Sequence, residues 1–302
     1  MFRKPKCGVA LGGGGARGLA HVGVLKVLHR EEVPIHIITG SSMGAVVGGM
    51  YAETGDIETV ERNLLDFFSS EDFKKTGMQL FRKELHPENF YGQIAHSKDT
   101  ELVIQLDRNR VSLMKEYRLG VIMDHLLSEG YVENTRIQFA PVATNLETGE
   151  VVVFRSGKLR DTIKASAAVP GFLPPILYRE MVLVDGAISS SIPVEPARSL
   201  GADMLIAVNV SRALDEEPMP QNVIDILFRT NLITSLRLDK LTCEMAEVVL
   251  QPDVGSVHWA EFDRITELID AGEKEAEKAM PLIRKALKKK GFKPNKKVKR
   301  KG

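Results

Sequence analysis

Gly12-Gly13-Gly14-Gly15-Ala16-Arg17-Gly18 and, further on, Gly40-Ser41-Ser42-Met43-Gly44 are the stretches on which the fold turns. Each follows a short apolar run, 7–11 and 35–39, and each leads into a segment with helical character. After the first, Leu19, Val22, Val24, Leu25, Val27 and Leu28 recur at the spacing of one helix face, until Pro34 stops the run. After the second, 43–53 is rich in the small residues Ala45, Gly48, Gly49 and Ala52, and Gly55 ends it. Strand, glycine turn, helix, strand, serine turn, helix is the rhythm of a parallel sheet with crossover helices. The expected class is α/β, three layers deep, with a central and mostly parallel sheet.

The second stretch is a G-x-S-x-G pattern, which on a strand-to-helix turn exposes a serine hydroxyl as a nucleophile. That hydroxyl is Ser42, and the following helix brings its positive end near the reacting oxygen. Ser41 has no such placement and is expected to make a turn hydrogen bond. The glycine run offers backbone N–H groups with no side chains to block an anion, so it can hold the oxyanion that a serine nucleophile generates. A phosphate cradle is the rival reading, although the Lys-Ser/Thr ending of a P-loop is missing. Arg17 is either a helix-surface cation or a brace for the loop that also attracts an anionic substrate.

Over 56–130 the rhythm of buried strands is lost and the pattern is mostly helical, with breaks at 75–77 and 85–89. This excursion is read either as a lid over the site or as ordinary outer-layer helices. Strand signals return at 137–143 and 151–154, joined by Glu147-Thr148-Gly149 as a hairpin. A helix over 158–168 is broken by Val169-Pro170-Gly171, and 181–184 is a short strand ending at Asp185-Gly186. Asp185 is therefore expected at an exposed strand end of a parallel sheet, a place suited to a catalytic carboxylate, although Asp-Gly is also a common turn. Beyond it lie a helix at 194–200, a strand at 204–210 and an exposed loop at 213–220. A long helix at 222–246, a last strand at 248–251 and a terminal helix at 261–289 complete the pattern. With no repeat or linker, 1–283 reads as one domain and 284–302 as a basic tail.

The 302 residues are 43% hydrophobic and 27% charged, as in globular proteins with a sizeable core. No apolar run reaches the ~20 residues that span a bilayer. Arg3-Lys4-Lys6 ahead of 7–11 resembles a signal peptide, but the apolar part is too short and leads straight into the glycine loop. Two cysteines, Cys7 and Cys243, make neither a disulfide framework nor metal spacing, so a reducing cytoplasm is expected. No metal and no cofactor are expected. The net charge of +1 conceals an asymmetry, because 284–302 holds eleven Lys or Arg and no acid. The remainder carries 30 basic against 40 acidic residues. Such a tail either aids solubility or attaches the protein peripherally to the anionic inner face of a membrane; nucleic acid is not the expected partner.

Of the seven histidines, only His258 lies beyond Asp185, as an order of Ser, Asp, His would require, and it lacks a strand-end setting. Gly13-Gly14-Gly15-Ala16-Arg17-Gly18, Gly40-Ser41-Ser42-Met43-Gly44 and Asp185-Gly186-Ala187 resemble the three signature blocks of patatin-like phospholipases. The resemblance is greatest to the bacterial proteins related to neuropathy target esterase. It extends through 143–150, 165–175 and 192–210, and more loosely over 252–282. It implies a Ser–Asp dyad without histidine, mapping onto Ser42 and Asp185, and an oxyanion hole at Gly13, Gly14 and Gly15. It also implies hydrolysis of fatty-acyl esters of phospholipids or lysophospholipids through an acyl-serine, with generic carboxylesterase activity or a non-catalytic regulator as alternatives.

Overall fold

The computed structural model describes residues 3–78, 112, 114–211, 219–220 and 223–292. Strands β1 (Cys7–Leu11), β2 (Ile35–Ser41), β3 (Gln138–Asn145), β7 (Met204–Val208) and β8 (Val248–Leu250) run parallel in the order β3-β2-β1-β7-β8. Strands β6 (Met181–Asp185) and β5 (Ile176–Tyr178) continue the sheet past β3 in antiparallel fashion. Strand β4 (Val151–Val153) pairs antiparallel with β3 and completes the expected hairpin. The sheet is mostly parallel, as the crossover rhythm implied, with its antiparallel pairs gathered at one side.

The three layers follow from strand alternation, which sends successive side chains to opposite faces. Cys7, Val9 and Leu11 of β1 and Met204, Ile206 and Val208 of β7 enter one core cluster. Ala10, Leu205 and Ala207 enter another. Helices α1 (Ala20–Arg30), α2 (Met43–Thr54) and the long terminal α10 (Ile265–Lys289) contribute Val24, Val47 and Ile269 to the first cluster. The opposite face is covered by α8 (Val194–Ser199) through Val194 and Ala197. Both faces of β1 and β7 are buried, which is why those strands read as unbroken apolar runs.

The excursion contributes α3 (Ile57–Ser69), α4 (Glu71–Thr76) and α5 (Tyr117–Leu126). Asp56 caps α3 by accepting from the Glu58 and Thr59 N–H groups, and Ser70 caps α4 at Phe73. The break expected at 75–77 is the end of α4, where Gly77 takes the left-handed φ of 71°. The break at 85–89 lies outside the described residues, as does the loop expected at 213–220 apart from 219–220. Next come α6 (Leu159–Ser166), α7 (Ala187–Ser190) and α9 (Val223–Cys243). The single helix expected after the glycine turn divides into a 3-10 turn over Gly15–Leu19 followed by α1.

Helix α10 carries on past the expected tail boundary to Lys289 because its apolar period does not stop at residue 283. Ile283 is buried, and Ala286 and Leu287 pack against the same core. Arg284 pairs with Glu31, and Lys290 with Glu247 at 2.8 Å, so the start of the basic stretch is structured. Residues 293–302 lie outside the described residues. Among the described residues no helix is long and apolar enough to cross a membrane.

Candidate active site

Ser42 sits on the turn from β2 to α2 with φ 52° and ψ −123°. A non-glycine residue there is strained by about 1–3 kcal/mol and persists only where its surroundings over-determine it. The neighbouring contacts do so. Ala45 and Val46 donate to the Ser42 carbonyl at 2.9 and 3.2 Å, and the Ser42 N–H donates to Ser166 Oγ at 3.1 Å. Gly44 lets the turn press on β1, since a Cβ there would lie 2.2 Å from the Leu11 carbonyl oxygen.

The Ser42 hydroxyl donates to Asp185 Oδ2 at 2.6 Å, and the other carboxylate oxygen accepts the Ala187 N–H at 2.8 Å. Asp185 is not the exposed end of a parallel strand that the sequence suggested. It ends an antiparallel strand and is 3% exposed, because the segment after α6 crosses over it and Ala168 O accepts its N–H at 2.9 Å. Burial pushes its carboxyl up to about 6, against the lowering effect of the hydrogen bonds from Ser42 and Ala187. A carboxylate so placed is a far better proton acceptor at neutral pH than a free aspartate.

The glycine loop meets this pair directly. A Cβ on Gly13 would stand 3.0 Å from Ala187 Cβ and 3.3 Å from Ser42 Cβ. Its N–H groups are not equivalent. Gly12 donates to Val208 O at 3.0 Å, Gly13 to Ser191 O at 2.9 Å and Ala16 to Trp259 O at 2.6 Å. Between them, the N–H groups of Gly14 and Gly15 meet no acceptor among the described residues. Gly15 has φ 57°, and a side chain there would meet the Trp259 carbonyl at 2.6 Å. Arg17 Nε donates to the Gly14 carbonyl at 3.3 Å. His21 Nε2 lies 2.7 Å from the Gly12 carbonyl. A carbonyl only accepts, so Nε2 carries the proton. Burial holds the ring's pKa down to about 4, which keeps it neutral.

Ser166, Ser191 and His21 are the members of this site that sequence reasoning did not single out. Ser166 is fully buried and links the Ser42 turn to the Asp185-Gly186 turn, its hydroxyl accepting from the Ser42 N–H and its carbonyl accepting the Gly186 N–H at 3.2 Å. Its position inside the 165–175 block was the one available signal, and nothing in its spacing points to a hydroxyl under the elbow. Ser41 makes no turn hydrogen bond. Its hydroxyl is buried and has no partner among the described residues, because the strand turns it away from the loop toward Gly186.

Ser42 and Gly15 border a cleft with apolar walls. Phe68, Met114 and Ile122 line it from the excursion, and Phe172, Trp259 and Phe262 from the rest of the chain. Phe172 and Trp259 meet edge to face at 4.8 Å. His258, next to Trp259, does not line this cleft; its Nδ1 accepts the Ala260 N–H at 3.1 Å. His258→Ala should accordingly keep hydrolytic turnover within about threefold of wild type, whereas a loss as deep as that of a serine variant would restore a histidine base. Among the described residues no group of His, Cys, Asp or Glu could hold a metal ion.

Elbow strain together with a direct contact between serine and buried aspartate places the chain among the α/β proteins built on a nucleophile elbow. Within that class it belongs to the patatin-like phospholipase family, which matches it over residues 9–198. A patatin-like phospholipase domain-containing protein of Caenorhabditis elegans is 33% identical over 205 residues, covering 67% of this chain and 13% of that protein. A lysophospholipase NTE1 of Debaryomyces hansenii is 26% identical over 286 residues, covering 85% of this chain and 17% of its own. The chain therefore spans less than a fifth of the length of either relative. Among solved structures, VipD from Legionella pneumophila superimposes with a TM-score of 0.47 at 15% identity, covering 94% of this chain and 67% of that one.

Proposed function

We propose that the chain hydrolyses fatty-acyl ester bonds of phospholipids or lysophospholipids through an acyl-serine on Ser42. The 2.6 Å contact between Ser42 Oγ and the Asp185 carboxylate carries this reading. Asp185 takes the hydroxyl proton as Oγ attacks the ester carbonyl, and the Gly14 and Gly15 N–H groups hold the oxyanion. Collapse breaks the ester C–O bond, and the leaving alcohol receives the proton from Asp185. Water then attacks the acyl carbonyl, with Asp185 accepting one of its protons. The second collapse frees the fatty acid and returns that proton to Ser42. Gly13, whose N–H is held by Ser191, shapes the loop and donates nothing to the oxyanion; Arg17 braces the loop at Gly14.

The apolar cleft suits an acyl chain, since each buried methylene contributes about 0.8 kcal/mol. The name of the Debaryomyces hansenii relative, a lysophospholipase, agrees with a lipid ester. Wild-type protein should hydrolyse both a p-nitrophenyl acyl ester and lysophosphatidylcholine, and a fluorophosphonate should label it at Ser42. Protein that is neither labelled nor active, even with substrate in vesicles, would be a regulator on this fold and not a hydrolase.

A peripheral site at an anionic inner membrane face is part of the same proposal. Lys293, Lys296, Lys297, Lys299, Arg300 and Lys301 form the end of the basic stretch. At about 1 kcal/mol per basic residue near such a surface, removing 293–302 should weaken binding to phosphatidylserine vesicles by well over tenfold at low salt. The difference should shrink as salt screens the charges. Equal binding by the full and shortened chains would leave the stretch a solubility device.

A further inference from the structure

We propose that Asp239, on α9, is a positioning residue that sets the glycine loop through Ser191 and Ser211. The inference rests on the reading of Gly14 and Gly15 as the oxyanion donors. Asp239 is 3% exposed, on a helix with strongly exposed residues such as Leu227 (62%) and Leu241 (61%). Ser211 Oγ donates to its Oδ2 at 2.9 Å, and the Ser191 hydroxyl, on the same side, favours the charged carboxylate against the raising effect of burial. Among the described residues no lysine or arginine pairs with it. A buried carboxyl that faces hydroxyls and no cation is a costly way to anchor a helix, and an apolar side chain would pack there without that cost. What distinguishes it is the pair of segments it joins.

Those segments clasp the glycine loop. The carbonyl of Ser191 accepts the Gly13 N–H at 2.9 Å. Val210, the neighbour of Ser211, presses on Gly14, where a Cβ would lie 2.7 Å from Val210 Cγ2. Val208, two residues earlier, accepts the Gly12 N–H at 3.0 Å. Asp239 thus ties the Ser191 segment to the Val208–Ser211 segment, and the loop between them is held with two consecutive N–H groups left for an incoming oxyanion. None of Asp239, Ser191 and Ser211 lines the apolar cleft. Loosening the tie should therefore weaken transition-state stabilisation while leaving acyl-chain binding unchanged.

The test compares Asp239→Ala, Asp239→Asn and Ser211→Ala with wild type in the full chain. Three quantities are read: kcat and KM on a p-nitrophenyl ester, affinity for an alkyl trifluoromethyl ketone, and affinity for a free fatty acid. The ketone bonds its carbonyl carbon to Ser42 Oγ, passes the serine proton to Asp185 and leaves an oxyanion at the loop. Fatty-acid binding is followed by the fluorescence of Trp259, the one tryptophan of the chain.

Asp239→Ala should lower kcat and ketone affinity in parallel, by about 10- to 100-fold, with KM and fatty-acid affinity within about twofold of wild type. Asp239→Asn, which keeps one acceptor oxygen, should recover part of the loss, and Ser211→Ala should fall between. Unchanged kcat and ketone affinity in Asp239→Ala, or ketone and fatty-acid affinities falling together, overturns the inference. If Asp239→Ala does not fold, Ser211→Ala decides, and wild-type ketone affinity in that variant is the adverse result. Wild type that neither reacts with fluorophosphonate nor binds the ketone fails at the earlier step. It would overturn the hydrolase reading, and this inference with it, before any variant is compared.

Discussion

Asp185→Asn should lower kcat by about 10⁴-fold and, above pH 6, make the protein more stable than wild type. Activity falls because the amide cannot take the Ser42 proton. Stability rises because the wild-type carboxylate is 3% exposed and its folded pKa is raised from 3.8 to about 6. The folded state therefore holds a proton that the unfolded chain releases between about pH 4 and 6. Wild-type stability contributed by this group is full below pH 4 and is lost as pH rises to about 6. Above that the deficit is constant, on the order of 3 kcal/mol for a shift of roughly two pH units. Asparagine carries no charge to bury, so its Tm advantage should be several degrees at pH 8 and absent at pH 4. An advantage equal at both pH values would show that ionisation of Asp185 is not what separates the two proteins. The same shift predicts that wild-type kcat/KM drops tenfold per pH unit below about 6, as the base becomes protonated.

Ser42→Ala should be as inactive as Asp185→Asn and, unlike it, wholly resistant to fluorophosphonate, because the atom that forms the covalent bond is gone. Two further readouts test the geometry behind that loss. Removing the hydroxyl removes a hydrogen bond that lowers the Asp185 pKa, so the carboxyl should titrate higher in this variant than in wild type. Alanine also keeps the cost of φ 52°, whereas Ser42→Gly relieves it. The glycine variant should be equally inactive but more stable than the alanine variant by about 1 kcal/mol, measured by denaturant unfolding. Residual turnover above about one part in 10³ in either variant would mean that another nucleophile serves the site.

The Ser42–Asp185 contact and the glycine loop differ in how far they could be read from residues alone. Gly40 and Gly44 around Ser42 announce a tight strand-to-helix turn, and the elbow is there. The helical period after Gly15 and the apolar runs at β1, β2 and β7 likewise state their own structure, because both faces of those strands are buried. Asp185 was visible as a strand end, but its burial was not. The strand beside it turned out antiparallel, and the segment that covers it comes from after α6. Gly13, Gly14 and Gly15 read alike as glycines. Only the carbonyl of Ser191, far along the chain, separates the committed N–H of Gly13 from those of its two neighbours.

Local sequence determined the elements, the elbow and the glycine loop, because periodicity, glycine turns and small-residue packing act within a few residues. Tertiary structure decided the chemistry. Ser42 and the carboxylate it donates to, Asp185, are 143 positions apart, and Ser42 and the hydroxyl that holds its amide are 124 apart. Desolvation of Asp185, the pairing of each loop N–H and the apolar walls beside Ser42 arise only when those distant segments pack together, since burial and hydrogen-bond partnership are properties of neighbours in space.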